Sequence, residues 1–443
     1  MDLLFALIFS FVFLLVSVTK GVFIFYPLLL TLLVFIPVYI RRGFKLKSLI
    51  QIAFSGSQKS FSVLSILLLI GAVTAVWMAA GTVPALVYYG VELINPQYFV
   101  LSVFLLTSFI SVLIGTSFGT VSTIGIALMV MARGSNVNPH LIAGAIVAGA
   151  YFGDRCSPMS SSAHLIATLT GTKIHTNLKN MVRTAIFPLV VSTLVYLVLS
   201  RLNPVQIANN DLIPEINKIF EINLIVFLPA LVVLILSLFR VEVKLTMLIS
   251  VIAALAIGKG VQGYSFFQLF KFMMLGYSLE GTTSLKNILS GGGVVSMAKV
   301  SLVVIVSTAL AAIFAETKTL SAIEGFLNKA KSRSELFLGT TTISLASAAF
   351  GCTQTIAILL TQQLVQDKYE RSQLDNYQLA VDLENTAVVL SPLIPWNIAG
   401  LVPATLLMTD SGFIPYAFYL YLLPVFSFIQ FKLSESKKLR LDN

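Results

Sequence analysis

The sequence predicts an all-α polytopic membrane protein built from two inverted repeats, each with a broken helix and a re-entrant hairpin. Composition carries the first part of that prediction: of the 443 residues 57% are hydrophobic and only 11% charged, with a mean hydropathy of +0.92. A soluble chain of this length could bury a large core, but it would need far more charge to cover its surface. The second observation is pattern. Apolar runs of roughly 20 residues, the length an α-helix needs to cross a bilayer, follow one another almost end to end and leave room for roughly 10–12 membrane segments. They lack the apolar/polar alternation of membrane β-strands. The third observation is a pair of interrupted apolar segments, described below, at corresponding places in the two halves.

The formal net charge of +10 raises the question of nucleic acid. Its distribution answers that question. Arg41, Arg42, Lys45, Lys47 and Lys59 follow the first pair of apolar runs, and Lys432, Lys437, Lys438 and Arg440 follow the last. Clusters beside span ends fit the positive-inside rule and not a nucleic-acid face. Cys156 and Cys352 give neither a disulfide framework nor metal-ligand spacing, and no nucleophile–base pair can be assembled. The reading is therefore a non-enzyme without a cofactor or resident metal.

Taken in order, Leu3 to Thr19 and Val22 to Ile40 form a tight pair, and the first run lacks the basic start and cleavage site of a signal peptide. A third span covers about Val63 to Ala80. From Tyr98 to Ala132 no residue is charged, a stretch too long for one span. Its middle, Gly115-Thr-Ser-Phe-Gly-Thr-Val-Ser-Thr123, predicts either a helix that unwinds at membrane depth or a small-residue packing seam. Leu141 to Tyr151 then leads into Gly153-Asp-Arg-Cys-Ser-Pro-Met-Ser-Ser-Ser-Ala-His164, which turns at Ser157-Pro158 and leaves through Thr170. A span from about Ala185 to Ser200 closes an N-terminal half, residues 1–200.

Residues 201–222 are polar and read as a linker. The C-terminal half, 223–443, opens with Leu224 to Phe239 and Leu245 to Gly258. An aromatic stretch, Tyr264 to Tyr277, suits an interface, whereas the Gly-, Ser- and Thr-rich segment from Glu280 to Lys299 has no assignable topology. Val300 to Ala315 is a span. Leu336 to Gln366 is again too long and is interrupted by Gly351-Cys-Thr-Gln-Thr355. Leu379 to Asn397 carries Asp382, Glu384 and a second Ser-Pro turn, and Phe413 to Phe431 is the last span.

The spacing repeats: Gly115 precedes Ser157 by 42 residues and Gly351 precedes Ser391 by 40. Gly-interrupted segments in corresponding positions of two halves point to a transporter's binding site, usually between inverted repeats near the midplane. Half-helix ends expose unpaired backbone groups, and hydroxyls and carbonyls beside them are hard ligands for a small cation. Candidate ion- or substrate-binding residues are Thr116, Ser117, Thr120, Asp154, Ser157, Ser160, Ser161, His164, Thr353, Thr355, Glu384, Asn385, Thr386, Ser391 and Asn397. Asp154, His164 and Glu384 are the candidate proton carriers, because carboxylates and imidazole can titrate. The plainer reading makes Asp154 and Glu384 buried partners of Arg155 or another base and His164 a packing residue.

Three blocks resemble the NhaC family of bacterial sodium/proton antiporters: Gly115 to Gly125; Ala143 to Asp154 with Ser157-Pro158; and Leu383-Glu-Asn-Thr with Ser391-Pro-Leu-Ile-Pro-Trp-Asn397. The resemblance implies the ion-transporter fold, with inverted repeats, two re-entrant hairpins and a homodimer moving elevator-like in the bacterial inner membrane. It implies exchange of Na+ for H+. The chain departs from the family's usual Asp-Thr-Thr-Asn at Ser161, Ser162, Ala163 and His164, and from Glu-Asp at Glu384-Asn385. Two carboxylates are thereby absent, so an ion-coupled exchange of a small organic solute, such as malate, lactate or an amino acid, is the alternative expectation.

Overall fold

A computed structural model describes residues 2–133, 135–205, 212–239, 241–279, 289–317, 319, 327 and 330–441. In chain order its helices are α1 (Asp2–Thr19), α2 (Phe25–Arg41), α3 (Leu46–Lys59), α4 (Phe61–Ala79), α5 (Thr82–Leu93), α6 (Phe99–Ile114), α7 (Ser117–Arg133), α8 (Pro139–Cys156), α9 (Ser161–Thr170) and α10 (Ile174–Leu202). They continue as α11 (Leu212–Ile219), α12 (Leu228–Leu238), α13 (Val243–Gly260), α14 (Phe266–Leu275), α15 (Ser296–Glu316), α16 (Arg333–Gly351), α17 (Gln354–Arg371), α18 (Asn376–Leu393), α19 (Ile398–Leu406) and α20 (Phe418–Leu441). Part of the segment from Glu280 that resisted assignment lies outside the described residues.

The molecule is a multi-pass membrane protein, and its surface says so as plainly as its composition. On α10 the side chains of Val182, Ile186, Val190, Leu194 and Val198 recur every four residues and are exposed, a lipid-facing stripe that water would not tolerate. Five described helices or helix pairs are long and apolar enough to cross a bilayer; α18 and α19 form a further, bent pair at 51°. Several helices are longer than their apolar runs. α10 starts at Ile174, not Ala185, and α3 forms where only basic flanking sequence was expected. The first hairpin arm, legible as Leu141 to Tyr151, is an 18-residue helix, because polar Gly153 to Cys156 continue it inside protein rather than in lipid. The polar stretch 201–222 contains α11, whose Ile216 anchors it in the core along with Phe220 just beyond its end.

Both interrupted segments break in the same way. Gly115 is left-handed at φ 73°, Thr116 is extended, and a new helix starts at Ser117. Cys352 is left-handed at φ 53°, Thr353 is extended, and a new helix starts at Gln354. Each break frees carbonyls at the end of the preceding half-helix, and a hairpin turn satisfies them. At the first, Ser157 Oγ donates to the Val112 carbonyl at 2.7 Å. At the second, Asn397 Nδ2 donates to Ala348 O at 2.7 Å, Trp396 Nε1 to Ala349 O at 2.6 Å, and Ile398 N to Cys352 O at 2.8 Å.

Close approach makes this docking possible. A Cβ on Gly115 would sit 2.4 Å from Met159 Cβ, and one on Gly153 would sit 2.3 Å from the Ser111 backbone. The second contact lets α8 lie directly on α6, locked by Ser111 Oγ donating to Ala150 O at 2.5 Å. Small residues at such a seam let helix backbones meet where lipid offers no hydrophobic drive. Gly153→Ala is therefore expected to lower stability by about 1–3 kcal/mol, read as an earlier thermal transition in detergent. An unchanged transition would mean that α6 and α8 can part freely.

Candidate functional site

Asp154 sits one turn from the C-terminus of α8, where the helix dipole disfavours an anion. Compensation comes from the first break. Ser117, the first residue of α7, donates to Asp154 Oδ2 at 3.0 Å, and Ser160, the N-cap of α9, donates to Oδ1 at 3.3 Å. The carboxylate thus faces the positive ends of two helices. Gln354, the first residue of α17, also turns toward Asp154, yet its buried Nε2 finds no acceptor among the described residues. Both helix breaks therefore converge on one carboxylate.

Glu384 comes from the second hairpin. It opens a π-helical turn, Glu384–Val388, within α18; such turns recur at functional sites because they push one residue out of the regular ladder. The side chain is 1% exposed, and neither carboxylate oxygen has a hydrogen-bond partner among the described residues. Arg155 and Asp154 are the charged groups within electrostatic reach.

Arg155 is fully buried, and both terminal nitrogens of its guanidinium are occupied while Nε has no partner among the described residues. It donates to Met181 O at 3.0 Å, to Thr184 Oγ1 at 2.7 Å and to Asn385 Oδ1. Asn385 in turn donates to Ser427 Oγ at 3.0 Å. Arg155 therefore fixes the residue beside Glu384 without forming a direct ion pair with either acid. Elsewhere His140 Nε2 lies 3.1 Å from Asp410 Oδ1, and Arg333 forms an ion pair with Asp382. In the second the carboxylate is buried and the arginine half-buried, and Tyr369 completes it, its hydroxyl donating to Asp382 at 2.5 Å. Asp382 is thus consumed in structure while Glu384, two residues on, is left bare.

The remaining candidates divide. Ser157 ties the hairpin turn to α6, and Asn397 caps α19 and the α16 end. Thr120, Thr386 and Ser391 bond backbone carbonyls one turn earlier, at Thr116, Asp382 and Ala387. Thr116 contributes that carbonyl. Thr353 caps α17, and both Thr353 and Thr355 line a cavity on the far side of the break. Ser161 and His164 are not brought to the centre: both are exposed on α9, and His164 Nε2 lies 3.0 Å from Pro158 O.

Sequence reasoning missed Gln354 and Thr184. Gln354 had a signal, since it occupies after Cys352-Thr353 the place Ser117 occupies after Gly115-Thr116. Thr184 and the Arg333–Tyr369–Asp382 group had none, because their partners lie on distant helices.

A profile of the Na+/H+ antiporter family matches residues 3–163 and 149–432 of the chain. Among curated relatives, the Na+/H+ antiporter NhaC of Alkalihalophilus pseudofirmus is 29% identical over 365 residues, covering 81% of this chain and 79% of the relative. The malate-2H+/Na+-lactate antiporter of Bacillus subtilis is 29% identical over 387 residues, 85% of this chain and 82% of the relative. The arginine/ornithine antiporter ArcD of Halobacterium salinarum is 27% identical over 370 residues, with 81% and 76% covered.

Proposed function

The chain belongs to the Na+/H+ antiporter family, and from that membership we propose that it exchanges Na+ for H+, with Asp154 and Glu384 binding either cation. The observation that carries the reading is the bare, buried Glu384 carboxylate beside Asp154 and Arg155. With both acids ionised these three side chains sum to one negative charge. A buried charge without a partner is strongly unfavourable, so the centre is stable when it holds one Na+ or one proton. Binding one excludes the other, which is the condition for exchange.

Ligands for Na+ on this reading are the two carboxylates with Ser117 and Ser160. Hard oxygens suit a small, hard cation. The same charge count assigns one proton per Na+, so exchange is expected to be electroneutral. Purified protein in liposomes under an imposed pH gradient should show Na+-dependent proton flux whose rate is insensitive to a membrane potential set by K+ and valinomycin. No Na+-dependent flux overturns the exchange; flux accelerated by the potential overturns the stoichiometry.

The reading extends to an elevator-like movement in a bacterial inner membrane, supported by the hydrogen bonds that bind each break to its hairpin turn as one unit. The two matching break geometries support the repeat. A homodimer rests on the family resemblance. The proton path is assigned to Asp154 and Glu384, since His164 lies outside their cluster: His164→Ala should keep the parent's pH dependence. A displacement of its pH profile by roughly half a unit or more would return the imidazole to the path.

A second reading, exchange of a small organic solute, draws only on the size of the cavity at Thr353 and Thr355. Its volume of about 590 Å³ falls in the range of small-molecule sites. Inhibition of Na+-dependent flux by malate, lactate or arginine would support it.

A further inference from the structure

We propose that this cavity, enclosed by α3, α15 and α17, is a water-filled vestibule for a cation, with Glu316 as the side chain that draws the cation in. The proposal deepens the Na+ reading and rests on it for the identity of the ion, but not for the sign of the charge admitted.

Space is sufficient for a hydrated ion. Six waters at roughly 30 Å³ each occupy about a third of the volume. The walls have the right polarity. On α3, Ser48, Gln51 and Ser55 line the cavity, at a spacing that puts them on one helical face, while Leu46, Ile50 and Phe54 are exposed elsewhere on the same helix. A polar stripe on a membrane helix with an apolar opposite side marks a watery path rather than lipid contact. The third wall is the start of α17, where Thr353 and Thr355 line the space and Gln354 between them turns toward Asp154. The cavity therefore ends one side chain away from the buried centre.

Its electrostatics point to a cation. Glu316 is the one charged side chain among the described lining residues. It is the last residue of the 21-residue α15, whose terminal carbonyls add partial negative charge at the same place. Arg41, Arg42 and Lys45 precede α3 and Lys47 lies in its first turn, and none of the four lines the space. Among the described residues no base lines the space with Glu316, and an acid so placed focuses cations into a low-dielectric cleft and repels an organic anion. The lining thus favours Na+ over malate or lactate as the species passing through.

Thiol chemistry tests this without requiring transport. Cys156 and Cys352 are buried, so the unmodified protein supplies a low background. In detergent at low ionic strength, Ser55→Cys and, independently, Gln51→Cys should react with methanethiosulfonate reagents, with a preference for the trimethylammonium over the sulfonate form about tenfold greater than that of a small free thiol. Adding Glu316→Gln should reduce that preference at least about threefold. Ile50→Cys, on the apolar face, should show no change on adding Glu316→Gln. Failure of both vestibule cysteines to react would overturn a water-filled path; a preference unaltered by Glu316→Gln would overturn the role of Glu316. If the parent protein moves no Na+ while the cysteine pattern holds, the vestibule stands and the exchange reading falls.

Discussion

Replacing Glu384 with glutamine should abolish Na+-dependent proton exchange, by about 100-fold or more on the scale of losing a buried group poised for proton transfer, while the protein still inserts and folds. Glutamine keeps the shape of the side chain but cannot shed or accept the proton. Neither carboxylate oxygen has a partner to lose, so the variant removes an uncompensated buried charge and should be at least as stable as the parent. Asp154→Asn should stop exchange too, with a different stability signature. Its carboxylate accepts from Ser117 and Ser160, and an amide nitrogen facing those hydroxyls would lose part of that network. Flux in liposomes, paired with thermal unfolding in detergent, separates the two. If either variant exchanges at the parent's rate, that acid is structural.

Arg155→Met should produce the largest loss of stability, about 3–5 kcal/mol, the cost of breaking a buried charge network by removing one member. The loss has two sources. Asn385, Thr184 and the Met181 carbonyl lose their donor, and the two carboxylates lose the cation that offsets one of them. The second source can be isolated, because combining Arg155→Met with Glu384→Gln removes the opposing charge as well. The double variant should therefore recover part of the stability, a coupling measurable by a double-mutant cycle. Strict additivity would show that Arg155 serves only its hydrogen-bond partners and leaves Glu384 unaffected.

These residues also show how far the sequence reaches. Gly115 and the Gly351-Cys352 pair disclosed both helix breaks because glycine and small hydroxyl residues are costly in the middle of a span unless the backbone turns there. Asp154 and Glu384 stood out for the same kind of reason, as carboxyls among apolar runs. What the sequence blurred were helix ends. Gly153 to Cys156 and Ile174 to Arg183 look like loops by composition, yet both are helical: protein packed around the first supplies what lipid would refuse, and the second extends α10 with its charged side chains exposed. Arg155 reads in sequence as the natural partner of its neighbour Asp154. In the fold adjacent residues on α8 point apart, and its guanidinium goes to α10 and Asn385.

The sequence alone determined that the chain spans a membrane, where its helices could break, and which family its motifs resemble, since each follows from the local mismatch between a side chain and the solvent around it. Tertiary structure alone decided which acids are free. Asp382 and Glu384 are two residues apart and chemically alike, but Arg333 and Tyr369 close over the first and nothing described reaches the second. The same assembly left His164 exposed and brought Gln354 to Asp154. Partners drawn from helices far apart in the chain made those choices, and a sequence carries no distance between them until it folds.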